Sequence, residues 1–174
     1  DHVAESESLA QRVPNTDGVY FVPAFTGLGV PYWDMHARGA LVGLTRGTNR
    51  CHIARAVLES LAYQTLDVVE AMRRSGVELT GLRSDGGAAA NNFLMQFQAD
   101  VLGISIDRPS ILETTAVGAA FLAGLGIGFW KNAEALRSLR HRERLFAPNM
   151  TKEHRKHLYD GWRKAVGQVL TPSR

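Results

Sequence analysis

The run Leu82-Arg83-Ser84-Asp85-Gly86-Gly87-Ala88-Ala89-Ala90-Asn91-Asn92 decides how the chain is read. A short apolar segment enters two consecutive glycines, passes through small residues and opens a helix. Glycine has no Cβ, so a flat ligand or a phosphate can lie against the backbone at Gly86 and Gly87. The unpaired N–H groups and the positive end of the following helix favour an anion. Asn91, on the first turn, carries both a donor and an acceptor and can read a base or ribose edge. The same residues also fit a tight strand-to-helix turn with asparagine as the cap, and the motif by itself leaves both readings open. Asp85 is either a metal ligand or, more commonly before a glycine pair, an Asx-turn residue.

Upstream of this turn, Asn49 or Thr48 can cap a helix that carries Ile53, Val57, Leu61, Val68 and Met72 on one face and stops at Gly76. Before it, residues 26–48 are rich in turn formers (Gly27, Gly29, Pro31, Gly39, Gly43, Gly47). A loop this long in a compact domain is usually functional or meets another part of the protein. Val19, Tyr20, Phe21 and Val22, closed by Pro23, predict a buried strand. Residues 1–17 read as a linker or helix remnant, with the end of a helix at 6–11. Downstream, Phe93, Phe97 and Val101 predict a helix from about Asn91 to Gly103, and Ile104-Ser105-Ile106 a strand ending at Pro109. A helix from Thr115 has a face of small residues (Ala116, Gly118, Ala119, Ala120, Ala123) that lets another backbone approach. A last helix starts near Thr151, with Leu158, Trp162, Ala165, Val166 and Val169 as its apolar stripe. The alternation of strand and helix predicts an α/β fold with a partly parallel sheet.

The 174 residues are 45% hydrophobic and 21% charged, which excludes a disordered chain and a coiled coil. A single cysteine, Cys51, excludes an internal disulfide framework and fits a reducing compartment, so a cytoplasmic location is expected. A net charge of +3 over this length does not point to nucleic acid. The longest uncharged stretch, 114–130, is shorter than a membrane helix needs and is predicted to be a buried helix leading into a loop. No membrane partner is expected. No basic-then-apolar leader opens the chain, and a start at Asp1 rather than methionine suggests a fragment or processed product.

Other motifs carry less. No P-loop pattern occurs, and Gly27-Leu28-Gly29-Val30-Pro31-Tyr32 lacks the third glycine of a dinucleotide fingerprint. His154 and His157 share a helix face with Lys152, Arg155 and Lys156, and a solvated basic face is favoured over a metal site. Cys51 and His52 are neighbours in a helix and diverge by about 100°, so they are no nucleophile–base pair.

Several stretches together resemble the glycerol kinases of the FGGY carbohydrate kinase family. They are 23–34 (PAFTGLGVPYWD), Arg38-Gly39-Ala40, 43–47 (GLTRG), 58–65 (LESLAYQT), Asp85-Gly86-Gly87, 90–98 (ANNFLMQFQ) and 115–120 (TAVGAA). The resemblance runs from about Gly18 to Val166. The segment 23–34 is more like glycerol kinases than like xylulokinases or gluconokinases.

The resemblance implies an actin-like (ribonuclease-H-like) α/β domain, here incomplete, with a mixed sheet and flanking helices. It assigns residues 18–174 to the C-terminal part of the ATP-binding domain. It implies ATP and Mg²⁺ as cofactors, glycerol as the phosphoryl acceptor, a homo-oligomer, and nucleotide contacts at Gly87 and Asn91, with Gly86 and Asp85 shaping the turn. No catalytic residue and no metal ligand is carried over. The family's catalytic aspartate, its first domain and the strand pair that opens the second domain have no counterpart here. The segment 147–152 does not look like the site at which some glycerol kinases bind a sugar-transport regulatory protein, so that partner is not expected. Without the missing strands, the strand at 19–22 and the apolar helices are expected to expose edges and faces that recruit partners. Two alternatives are another sugar or polyol kinase of the family, and a non-catalytic nucleotide-binding or interaction module.

Overall fold

The longest element of the computed structural model, which describes residues 5–137, 139 and 141–172, is a helix of 25 residues. A short helix α1 (Glu5–Ala10) leads into strand β1 (Tyr20–Val22), then β2 (Ala40–Val42) and the long helix α2 (Arg50–Arg74). Next come β3 (Gly81–Arg83), a 3₁₀ turn (Gly87–Ala90), α3 (Asn92–Leu102), β4 (Ser105–Pro109) and α4 (Thr114–Gly126). The chain closes with α5 (Ala133–Arg137), β5 (Arg142–Phe146) and α6 (Lys152–Gly167).

The main sheet has the order β3-β4-β5, with β3 and β4 parallel and β4 and β5 antiparallel. It is therefore the mixed sheet expected, but β1 is not part of it. β1 pairs antiparallel with β2, which lies inside the turn-rich segment read as loop. Three residues among frequent glycines leave no alternation to read, and the pairing is a tertiary effect. β5 also escaped the sequence, because Arg142, Glu143, Arg144 and Leu145 are all exposed and only Phe146 is buried.

The helix boundaries follow from local chemistry. Asn49 caps α2: its Oδ1 accepts the Cys51 N–H (2.9 Å), and its own N–H donates to His52 Nδ1 (3.2 Å). His52 is thus held in a cap, away from acid–base work with Cys51. Gly103, at φ +67°, ends α3 in the left-handed region, and a Cβ there would also collide with the Arg155 guanidinium. Thr151 caps α6 through the His154 N–H (3.2 Å).

The core lies where α2, α3, β4 and α6 meet. Tyr63 of α2 is its hub, stacked on Trp162 (5.4 Å between ring centroids) and edge-on to Phe97 (5.5 Å). One turn on, the buried Asp67 accepts from Tyr159 Oη (2.7 Å) and Trp162 Nε1 (2.8 Å), tying α6 to α2. Tyr20 of β1 lies over Gly161, where any Cβ would strike its ring, and donates to the Leu158 carbonyl (3.2 Å). The glycine in mid-helix, which costs about 1 kcal/mol against alanine, is what lets β1 dock.

Two apolar surfaces stay open. The face of α2 singled out in the sequence is its exposed one: Val57, Leu61, Val68 and Met72 are all substantially accessible, while Leu58, Ala62, Tyr63, Leu66 and Val69 fill the core. α4 is helical as expected but not buried. Only Gly124 is buried in it, Leu122 is 72% exposed, and Ile127 and Phe129 just beyond are 83% and 74% exposed. A helix apolar on every side needs cover on every side, and no described element covers this one.

Residues 26–48 are ordered by their own hydrogen bonds. Leu28 and Asp34 exchange backbone bonds (2.7 and 2.9 Å), and Gly27, at φ +90°, sits so close to the Met35 backbone that a Cβ cannot fit. Asp34 then clasps the end of the chain, accepting from the Thr171 N–H (2.6 Å) and hydroxyl (3.0 Å), and from the His36 and Ala37 N–H groups. The Thr171 N–H, followed by the other donors, holds its carboxyl at about 2.

Asp67→Ala removes the shared acceptor, leaves the buried Trp162 N–H unpaired and is expected to destabilise the fold by about 2 kcal/mol in urea denaturation. For Asp34 the folded pKa lies below the unfolded one. Its stabilisation is therefore complete above about pH 4 and lost as the pH falls towards 2. The stability difference between parent and Asp34→Asn should be present at pH 5 and vanish through that window.

Candidate functional site

Gly86, Gly87 and Asn91 stand together on one turn at the carboxyl end of β3. Strand pairing ends at Arg83, and the Ser84 N–H still donates to the Asp107 carbonyl (3.2 Å). Gly86 has φ +80° and ψ 174°, a conformation essentially restricted to glycine, and its N–H donates to the Leu112 carbonyl (2.9 Å). No atom lies within 4 Å of where a Cβ would stand on Gly86 or Gly87, so both glycines border open space. The 3₁₀ turn Gly87–Ala90 follows, and by the geometry of a helix start its first N–H groups lack intrahelical partners.

Asn91 caps α3. Its Oδ1 accepts the Leu94 N–H (2.9 Å), which leaves the carboxamide NH₂ as the group with capacity for a ligand. The cap and the ligand readings of this residue are thus compatible. Asp85 is no Asx-turn residue here. Its carboxylate accepts from the Thr114 hydroxyl and links the turn to the start of α4.

The back of the turn is held by residues no local pattern pointed to. Arg108, on β4, is buried and reaches the carbonyls of Ala89 (2.8 Å) and Ala90 (3.3 Å) and Oδ1 of Asn92 (3.0 Å). Its Nε pairs with Glu143 of β5 (2.5 Å), and this hydrogen bond holds the Glu143 carboxyl below its ordinary range. Arg144 also reaches Asn92 Oδ1 (3.2 Å) and lies over the Phe146 ring. Beside the turn, an open groove of about 500 Å³ runs between Leu61, Thr65 and Val68 of α2 and Leu94 and Met95 of α3.

The other candidates fall elsewhere. His154 and His157 are exposed on α6, and no group of three or more His, Cys, Asp or Glu among the described residues could hold a metal ion. A cavity of about 180 Å³ lies between the segment 14–16, α2, α3 and α6. Its charged groups are paired. Arg55 pairs with the buried Glu59 (2.7 Å) and donates to the Val13 carbonyl (2.6 Å). Asp100 accepts from the Asn149 N–H (2.6 Å) and Gln96 (3.1 Å). Burial pushes the Glu59 carboxyl up, and Arg55 opposes this. No helix among the described residues is long and apolar enough to cross a membrane.

Comparison with known proteins places this geometry. The chain is 58% identical over 171 residues to the glycerol kinase of Caldanaerobacter subterraneus, covering 98% of this chain and 34% of that protein. It is 60% identical over 163 residues to the glycerol kinase of Fusobacterium nucleatum, covering 93% and 33%. A crystal structure of Plasmodium falciparum glycerol kinase with ADP superposes with a TM-score of 0.87 at 38% identity, over 99% of this chain and 35% of that one. A xylulose kinase from Rhodospirillum rubrum gives 0.78 at 26% identity, over 95% and 34%. The chain thus spans about a third of the length of the curated relatives it matches, and its fold is the actin-like, ribonuclease-H-like α/β fold of the sugar kinases. The model of the FGGY family of carbohydrate kinases, C-terminal domain, matches residues 1–127; the chain belongs to that family.

Proposed function

We propose that this chain is the nucleotide-binding C-terminal portion of a glycerol kinase, an enzyme that moves the γ-phosphoryl group of ATP to glycerol and yields glycerol 3-phosphate. One observation carries the reading. The Gly86-Gly87 turn, bordered by open space and followed by Asn91, lies in a chain 58% identical to a glycerol kinase. ADP is bound in the Plasmodium falciparum structure of the same fold.

In this reading Gly87 lets the nucleotide approach the backbone, Gly86 sets the path of the turn, and Asn91 offers its NH₂ to the nucleoside. These residues bind and orient, which is most of what phosphoryl transfer asks of a protein. No residue of this chain is assigned to the chemical step. Mg²⁺ would be held in large part by the phosphates of the nucleotide, and no residue of this chain is assigned to it. Residues 18–174 are read as the C-terminal part of the ATP-binding domain. The free edge of β3, the outer face of α2 and the surface of α4 are read as the seats of further strands and of the other domain. A cytoplasmic, homo-oligomeric enzyme completes the proposal.

The test uses the full-length protein that carries this chain. Calorimetric titration with ADP should give saturable binding, weakened by about tenfold or more in Gly87→Val, since a branched side chain then stands where the nucleotide meets the backbone. A coupled assay should show a preference for glycerol over xylulose and gluconate. Equal ADP affinity in parent and variant, or a preference for either sugar substrate, would contradict the proposal.

A further inference from the structure

We propose that Arg108 is a positioning residue for the nucleotide, holding the turn between Gly87 and Asn91 from its buried side. The inference rests on the nucleotide site proposed above and adds to it a residue that does not touch the ligand. Arg108 is 6% exposed. A guanidinium taken out of water is tolerated only when its donors find acceptors. Three of its four acceptors belong to the short segment Ala89–Asn92: the Ala89 and Ala90 carbonyls and the Asn92 side chain. The fourth, Glu143, fixes the plane of the guanidinium from β5.

Because peptide units are planar, holding the Ala89 and Ala90 carbonyls also fixes the peptide planes that lead into Asn91. The opposite end of the turn is held separately, by the Gly86 N–H on Leu112 and by Asp85 on the Thr114 hydroxyl. Arg108 thus sets the distance and angle between the glycine pair and the Asn91 carboxamide. A lysine keeps the charge but cannot reproduce a planar fork that serves separate acceptors at once.

The test again uses the full-length protein, with ADP affinity by calorimetry, KM for ATP and for glycerol, and the thermal midpoint. Arg108→Lys should raise the ADP Kd and the ATP KM by about tenfold, through misplacement of the turn, and leave the glycerol KM within about twofold of the parent. Val166→Ala, a core truncation on the buried face of α6, should lower the thermal midpoint without moving the ADP Kd. If Arg108→Lys does not fold, Asn92→Ala removes one acceptor and no charge, and should weaken ADP several-fold, by about the loss of one charge-assisted hydrogen bond. Parent-like ADP binding in Arg108→Lys, or in Asn92→Ala where that variant stands in, overturns the proposal. Gly87→Val separates the two claims. If it abolishes binding while Arg108→Lys does not, only the positioning role falls. If both bind as the parent does, the nucleotide site itself is elsewhere.

Discussion

A buried guanidinium must be surrounded by acceptors, and in this chain that requirement joins the sheet to the turn. Arg108 leaves β4 at the position paired with Arg144 of β5, and its side chain ends among the carbonyls behind the glycine turn. Neither partner is stable in that place without the other. Without the turn the guanidinium keeps Glu143 but loses its three other acceptors, and without the guanidinium the last carbonyls of a short 3₁₀ segment lose their donors. The exposed side of the same segment carries the glycines. One side is fixed by charge-assisted hydrogen bonds and the other is bare backbone, an arrangement suited to presenting main chain to a ligand without a cost of reorganisation on binding.

The long helix α2 sets the second constraint. Its inner face, with Tyr63 and Asp67, organises the aromatic core and anchors α6. Its outer face is equally apolar and open. A helix apolar on two faces needs cover on both, and β3 keeps an unpaired edge among the described residues. The exposed surface of α4 follows the same logic. These surfaces fit a chain that spans a third of its relatives, and the outer face of α2 borders the glycine turn, its Leu61, Thr65 and Val68 lining one groove with Ala88 and Ala89.

Much of this architecture was legible in the sequence. Caps and stops at Asn49, Gly76, Gly103 and Thr151 bound the helices, and the apolar periods within them gave α2, α3 and α6. The glycine turn was legible because Gly86, Gly87 and Asn91 lie within one short segment and their geometry is local. Four features were not. β2 and β5 exist by pairing with a neighbouring strand rather than by apolar pattern: β5 reads Arg-Glu-Arg-Leu-Phe and hides only its phenylalanine. The exposure of α4 could not be read from composition, since an apolar run states a need for cover and not whether it is met. Arg108 is not legible because its partners lie 16 to 35 residues away in sequence, and an arginine on a strand next to a proline carries no local signature of burial.

The central claim is that the bare side of the Gly86–Asn91 turn is where this protein meets a nucleotide. Amide hydrogen exchange of the full-length protein with and without saturating ADP tests it most directly. Slowed exchange concentrated at the amides from Gly86 to Leu94 is expected. Binding of ADP that leaves those amides unchanged, and protects others instead, would contradict it.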